Sequence, residues 1–186
     1  MPGHGTPSHG DAMLAKKLGG EEAARRWWTD VAARVAAAPD AEEAVRQLES
    51  AIARDVDPYA FGTFLENPAD HHLVLKHRFA HGPLRDEPIA VHPEQGMVGF
   101  VFRHGVPLVV HDVSKDPRYL RGPLADAASA LAVPVRSGRE TLGALDIEAD
   151  ETWSFDAADV QAMEALGAAL GAALARARTG PAPPPP

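Results

Sequence analysis

The sequence predicts an α+β fold: one mostly antiparallel sheet with helices packed on it. Three observations carry this. The longer helical patterns lie toward the two ends of the chain, short β-rich runs broken by turn residues and one short helix fill the middle, and a Ser-Gly-Arg turn joins the two clearest of those runs. Helices grouped around strands, rather than alternating with them, point to α+β rather than α/β.

The elements follow in order. Residues 1–20 are rich in Gly, His, Pro and Ser without a period, and are expected to be a disordered arm. In "EEAARRWWTDVAARVAAA" the residues Ala24, Trp27, Trp28, Val31 and Val35 recur at three- and four-residue steps, so this is a helix, which Pro39 stops. Asp40 then stands at an N-cap with Glu43 three residues on, starting a second helix whose apolar face is Ala44, Val45, Leu48 and Ile52.

"YAFGTFLE" (59–66) and "HLVLKHRF" (72–79) read as strands joined by the turn residues "NPAD", and "EPIAVHPEQG" contains a short strand. "GMVGFVFRHG" presents Met97, Val98, Val101 and Phe102 on a short helix that ends at Gly105. "VPLVV" is a strand, and "SALAVPVRSGRETLGALDIEAD" is a hairpin. Asp156 caps a long last helix with Val160, Met163, Leu166, Leu170 and Leu174 in one stripe. The tail 179–186, "TGPAPPPP", can neither continue a helix nor bury a core and is expected to be disordered. Residues 21–178 are left as a single domain.

Composition narrows the function. Eighteen basic against 26 acidic residues give a formal charge of −8, which suits neither a nucleic-acid backbone nor an anionic membrane. No run approaches the ~18 apolar residues of a membrane span, and the N-terminus lacks the apolar core of a signal peptide, so the chain is expected to be cytoplasmic. There is no cysteine, which removes disulfides, thiol catalysis and thiolate metal sites together.

Nine histidines invite a metal reading, but their spacing does not support one. In a strand His77 and His81 stand about 13 Å apart at ~3.3 Å per residue, too far for zinc bonds of ~2.1 Å. His71 and His72 point to opposite faces. Strict alternation places Leu73, Leu75, His77, Phe79 and His81 on one face. In "VVHDVSKDPRYL" Asp112 and Asp116 are placed to accept backbone hydrogen bonds in turns, with Pro117 fixing φ, while Arg118 and Tyr119 can reach a ligand.

Taken together, "GMVGFVFRHGVPLVVHDVSKDPRYL", "LAVPVRSGRETLGALDIEAD" and "WSFDAADVQAMEALGAALGAAL" resemble a GAF domain in order and spacing, over roughly residues 22–178. The resemblance implies a six-stranded, mainly antiparallel sheet with the terminal helices on one face. On the other it implies a ligand pocket under the short helix and the 107–120 loop. Such domains are sensory modules for small molecules, often dimerising through their terminal helices, and a minority are enzymes.

Among standalone members the chain is similar to the free methionine-(R)-sulfoxide reductases, whose chemistry needs thiols that this sequence lacks. Their nucleophile would fall near Leu120 to Asp126, and Ala130 stands where they carry a carboxylate; an acidic pair survives as Asp146 and Glu148. Neither a cyclic-nucleotide signature nor a bilin-anchoring cysteine is present.

The resemblance therefore implies a non-enzymatic sensing or binding module that signals through a protein partner. Tyr59, Phe61, Phe64 and Phe100 would line the pocket. His77, His111, Tyr119, Ser129, Asp146 and Glu148 would supply its polar groups. No metal or cofactor is expected, although His77, His104 or His111 could each serve as the single axial ligand of a haem. A homodimer is expected through the Trp27/Trp28 helix and the last helix, whose Gly167 and Gly171 would let another helix approach closely. Two alternatives remain: a thiol-less relative of the reductases that binds an amino-acid-like ligand, and a structural dimerisation module with a filled pocket.

Overall fold

Helices account for both ends of the structure, a computed structural model that describes residues 12–81, 89–120 and 127–178. They are α1 (Met13–Leu18), α2 (Glu21–Ala37), α3 (Ala41–Ala51) and α5 (Ala157–Arg178), with α4 (Gly96–His104) in the middle of the chain. A π-helical turn, Ile52–Val56, extends α3. The strands are β1 (Ala60–Glu66), β2 (Leu73–Ala80), β3 (Ala90–Val91), β4 (Leu108–Val110), β5 (Ser129–Ser137) and β6 (Glu140–Ala149). They form one sheet in the order β3-β2-β1-β6-β5-β4, every neighbouring pair antiparallel.

Local signals place the ends of these elements. The Asp40 carboxylate accepts the Glu43 N–H at 2.8 Å, though Glu43 turns its own side chain to Arg46 and Gln47 instead of closing the box. Gly105, at φ 63°, ends α4 in the left-handed conformation. Asp156 caps α5 through the Ala158 and Asp159 amides.

The sheet separates two apolar cores. Phe61, Leu131, Val133, Val135, Leu145 and Ile147 face the helical layer, where Met163, Leu166 and Leu170 of α5 lie on them. Ala60, Phe64, Leu73, Ala130, Ala132 and Ala144 face the other way, under Met97, Val98 and Val101 of α4. Among the described residues no helix is long and apolar enough to cross a membrane.

The structure corrects the sequence reading in three places. First, residues 13–18, expected in a disordered arm, form α1. Ala12, Met13, Leu14 and Ala15 are buried, and the buried Asp159 carboxylate accepts the Met13 and Leu14 amides, each at 2.8 Å. The same carboxylate accepts the Asp156 N–H at 3.1 Å, so it caps two helices at once. The remaining arm residues, 1–11, and the tail lie outside the described residues. Asp159→Ala is expected to cost roughly 2–3 kcal/mol, because three amide donors lose a charged acceptor. It should also speed tryptic cleavage after Lys16 and Lys17, which a protease time course would read.

Second, the pairing of β1 with β2 shifts register between Thr63 and Phe64, so that Thr63 opposes His77 while Phe64 opposes Leu75. Lys76 is the extra residue of this bulge, and it breaks the expected alternation. Leu73 and Leu75 join the core under α4, whereas His77 turns to the helical face, 3.7 Å from Glu49 of α3.

Third, Gly167 and Gly171 do not offer a surface to another helix. They lie against the β5 backbone, where a Cβ on Gly167 would come within 2.5 Å of the Pro134 carbonyl oxygen and one on Gly171 closer still to that of Arg136. Only the neighbouring Ala168 and Ala172 are exposed. Trp27 is likewise engaged within the subunit, its indole N–H donating to Asp55 at 2.8 Å, and Trp28 packs on the helical core.

Candidate functional site

β6 occupies an interior place in the sheet, and the side chains of Ala144, Asp146 and Glu148 leave it on the α4 side. Asp146 lies opposite Gly62 and Ala132, and Glu148 opposite Ala60 and Ala130. These small neighbours leave room for the two carboxylates, which are only 7% and 2% exposed. Phe64, Val91, Met97 and Val98 surround them, with Tyr119 and Leu120 from the following loop, around a cavity of about 20 Å³. Burying ionised carboxylates in such surroundings is costly unless they are paired or neutralised.

The structure meets that demand only in part. The Tyr119 hydroxyl donates to Glu148 Oε1 at 3.3 Å and accepts the Ala127 N–H at 3.4 Å. Asp146 Oδ1 has no hydrogen-bond partner among the described residues. Burial pushes the Asp146 carboxyl up to about 7, well above the usual carboxylate range, because the charged form is poorly solvated there. Burial, then the negative Glu148, also pushes the Tyr119 phenol up, which keeps it a hydrogen-bond donor.

The rim is built from the turns that the sequence suggested. Asp112 accepts the Ser114 N–H and hydroxyl and pairs with Lys115 at 2.8 Å; these bonds, that from Lys115 foremost, hold its carboxyl at about 2. Asp116 accepts the Arg118 N–H and binds its guanidinium, which lies 5.1 Å from the centre of the Phe100 ring. Arg118 is thus held at the rim, over α4, rather than inside the cavity.

Of the residues expected at the site, Phe64, Tyr119, Asp146 and Glu148 come together. Phe61 and His77 face the helices instead, and Ser129 donates its hydroxyl to the Glu151 carbonyl at 2.6 Å, beyond the strand end. Phe100 and His104 pack against each other on α4, 4.5 Å between ring centres. His111 is stacked on Trp153, and Tyr59 stands in the wall of a different cavity at the end of the sheet. None of the three histidines considered for haem lines the space beside Asp146 among the described residues. There, too, no group of three or more His, Asp or Glu could hold a metal ion.

A family model for the GAF domain matches residues 38–175, most of the chain. The chain belongs to the GAF domain family. No curated protein matches it. Among solved structures, this GAF domain is similar to the free methionine-R-sulfoxide reductase of Neisseria meningitidis, solved in complex with its substrate. That match has a TM-score of 0.74 and 21% identity, covering 86% of this chain and 92% of the other. It is also similar to the GAF domain of a phosphoenolpyruvate-protein phosphotransferase from Coxiella burnetii, with a TM-score of 0.73, 21% identity and coverage of 89% and 96%. The corresponding domain from Acinetobacter matches with a TM-score of 0.73, 18% identity and coverage of 83% and 94%.

At these identities the likeness is one of fold. The resemblance puts a reductase nucleophile near Leu120 to Asp126, of which 121–126 lie outside the described residues, and the sequence holds no cysteine at any position.

Proposed function

We propose that this GAF domain binds a small molecule through a cationic group received by Asp146 and Glu148, and that it senses or buffers this molecule without transforming it. The observation that carries the reading is the buried carboxylate pair, with Asp146 Oδ1 unpartnered among the described residues. A ligand ammonium would neutralise charge that the apolar surroundings penalise and would supply the missing donor. The module would work in the cytoplasm, as a homodimer through its terminal helices, and pass its signal to a protein partner. It would carry neither metal nor haem, so a Soret band in the purified protein would count against the reading.

A ligand of the amino-acid class is the more specific version, favoured by the Neisseria meningitidis relative solved with its substrate. This chain would then be a thiol-less relative that keeps binding without reduction. Melting curves with methionine-R-sulfoxide, methionine and cyclic nucleotides test it, because a ligand selective for the folded state raises the melting temperature. The amino acids are expected to stabilise and the nucleotides not. Stabilisation by nucleotides alone would overturn it. Affinity should also fall as the pH drops below about 7, where Asp146 takes up the proton that a cation must displace.

A further inference from the structure

At the end of the sheet, α1 and the residues joining β6 to α5 enclose a second cavity of about 560 Å³. Small-molecule sites run to roughly 300–1,000 Å³, so this one is of ligand size. The 20 Å³ beside Asp146 has room for little more than one water. Glu148 stands in the wall of both cavities.

The larger cavity is lined by both signs of charge. Lys16 and Lys17 line it from α1, and Asp150 and Glu151 from the β6–α5 connection; Pro58 and Tyr59 line it too. Lys16 Nζ reaches Glu151 at 3.7 Å across the mouth, both side chains at least 70% exposed. An ion pair that open contributes little to stability and yields easily to a ligand. Lys17 donates to the Asp57 carbonyl at 3.0 Å, which ties the α1 wall to the π-helical turn.

Trp153 completes the acidic wall. It is 59% exposed, and its backbone sits at φ 60°, a conformation that disfavours a bulky side chain. Its indole lies flat on the His111 imidazole, with ring centres 4.2 Å apart and planes 8° apart, and the Trp153 backbone N–H donates to the His111 carbonyl at 2.9 Å. An exposed ring on strained backbone gives the fold little, and strain of this kind gathers at ligand sites. The stack instead presents a flat apolar platform at the cavity wall.

We propose that this cavity binds a small zwitterion of the amino-acid or dipeptide class. Its carboxylate would face Lys16 and Lys17, its ammonium would face Asp150, Glu151 and Glu148, and its apolar or aromatic side group would lie on Trp153. The proposal rests on the preceding reading through Glu148: the body of the ligand occupies the outer cavity and its cationic end turns toward the buried pair.

Isothermal titration of the full chain with L-phenylalanine, N-acetyl-phenylalanine and phenylalanine amide tests this. The free amino acid binds, and blocking either charge weakens binding about tenfold or more. The double variant Lys16→Ala/Lys17→Ala loses the discrimination against the amide, and Trp153→Ala weakens all three probes.

Asp146→Asn separates the two readings, because Asp146 lines only the inner cavity. If Asp146→Asn abolishes binding while the lysine variant matches the wild type, the ligand sits inside; this proposal falls and the carboxylate-pair reading stands. If the lysine variant alone loses binding, the outer cavity holds the ligand and the inner pair is not its site. Absence of phenylalanine binding at millimolar concentration, or equal binding of all three probes, overturns the proposal.

Discussion

Gly171→Ala is expected to destabilise this domain by roughly 3 kcal/mol or more, the reverse of what the substitution does in most helices. On an exposed helix face, replacing Gly by Ala gains about 1 kcal/mol, because alanine restricts the unfolded chain and shields the helix backbone. Here the new methyl would meet the Arg136 carbonyl oxygen, carbon and nitrogen of β5, which are backbone atoms and cannot swing aside. Either α5 lifts off β5 or β5 distorts, and both disturb the core of Leu166, Leu170, Val133 and Val135. For a domain of this size that corresponds to a fall in melting temperature of the order of 10 °C. Ala172, one residue on and exposed, is the control: Ala172→Gly should cost only about 1 kcal/mol. Urea midpoints of the two variants decide the matter. If Gly171→Ala is neutral, the glycine face is not closed by β5 and is free for another helix.

That glycine pair shows what the sequence could and could not convey. Features decided within a few residues were legible: the Asp40 and Asp156 caps, the stop at Gly105, the Ser-Gly-Arg hairpin. Each is set by local backbone chemistry. Features decided by partners far along the chain were not. The spacing of Gly167 and Gly171 announces that something comes close, but not that it is β5. Met13 and Leu14 look like part of a polar arm until Asp159, 146 and 145 residues away, accepts their amides.

The candidate site divides in the same way. Asp146 and Glu148 share a face because residues two apart on a strand must, and their two-residue spacing was readable. Which face they share depends on the register of three strands. Without that register the sequence points Phe61 and Ser129 toward the pocket, and a single bulge at Lys76 turns His77 to the opposite face from the one strict alternation gives it. The apolar lining from Val91, Met97 and Val98 was visible only as helix and strand pattern, since no polar signal marks it.

Asp146→Asn is expected to make the protein more stable above neutral pH while removing its hold on a cationic ligand. The Asp146 carboxyl ordinarily titrates at 3.8, and burial raises it to about 7 in the folded state. Between those values the folded chain keeps a proton that the unfolded chain has released. Stability therefore falls as the pH rises through this window, and the full penalty is present above about 7. At roughly 1.4 kcal/mol per unit the upper limit is about 4 kcal/mol; an amide that itself needs partners in the cavity reduces the gain to roughly 1–3 kcal/mol.

Glu49 of α3, facing the sheet beside Thr63 and His77, is also raised to about 7 by burial and bends the wild-type curve in the same direction. The difference between variant and wild type cancels that contribution and isolates Asp146. Urea titrations at pH 4.5 and pH 8 are expected to show little difference at the lower pH and a more stable variant at the higher. A variant destabilised equally at both would mean that Asp146 is a satisfied structural group, and the binding reading would lose its foundation. The expected pattern would instead mark a carboxylate that burdens the fold and is retained for what it binds, the usual relation between a site and the scaffold that carries it.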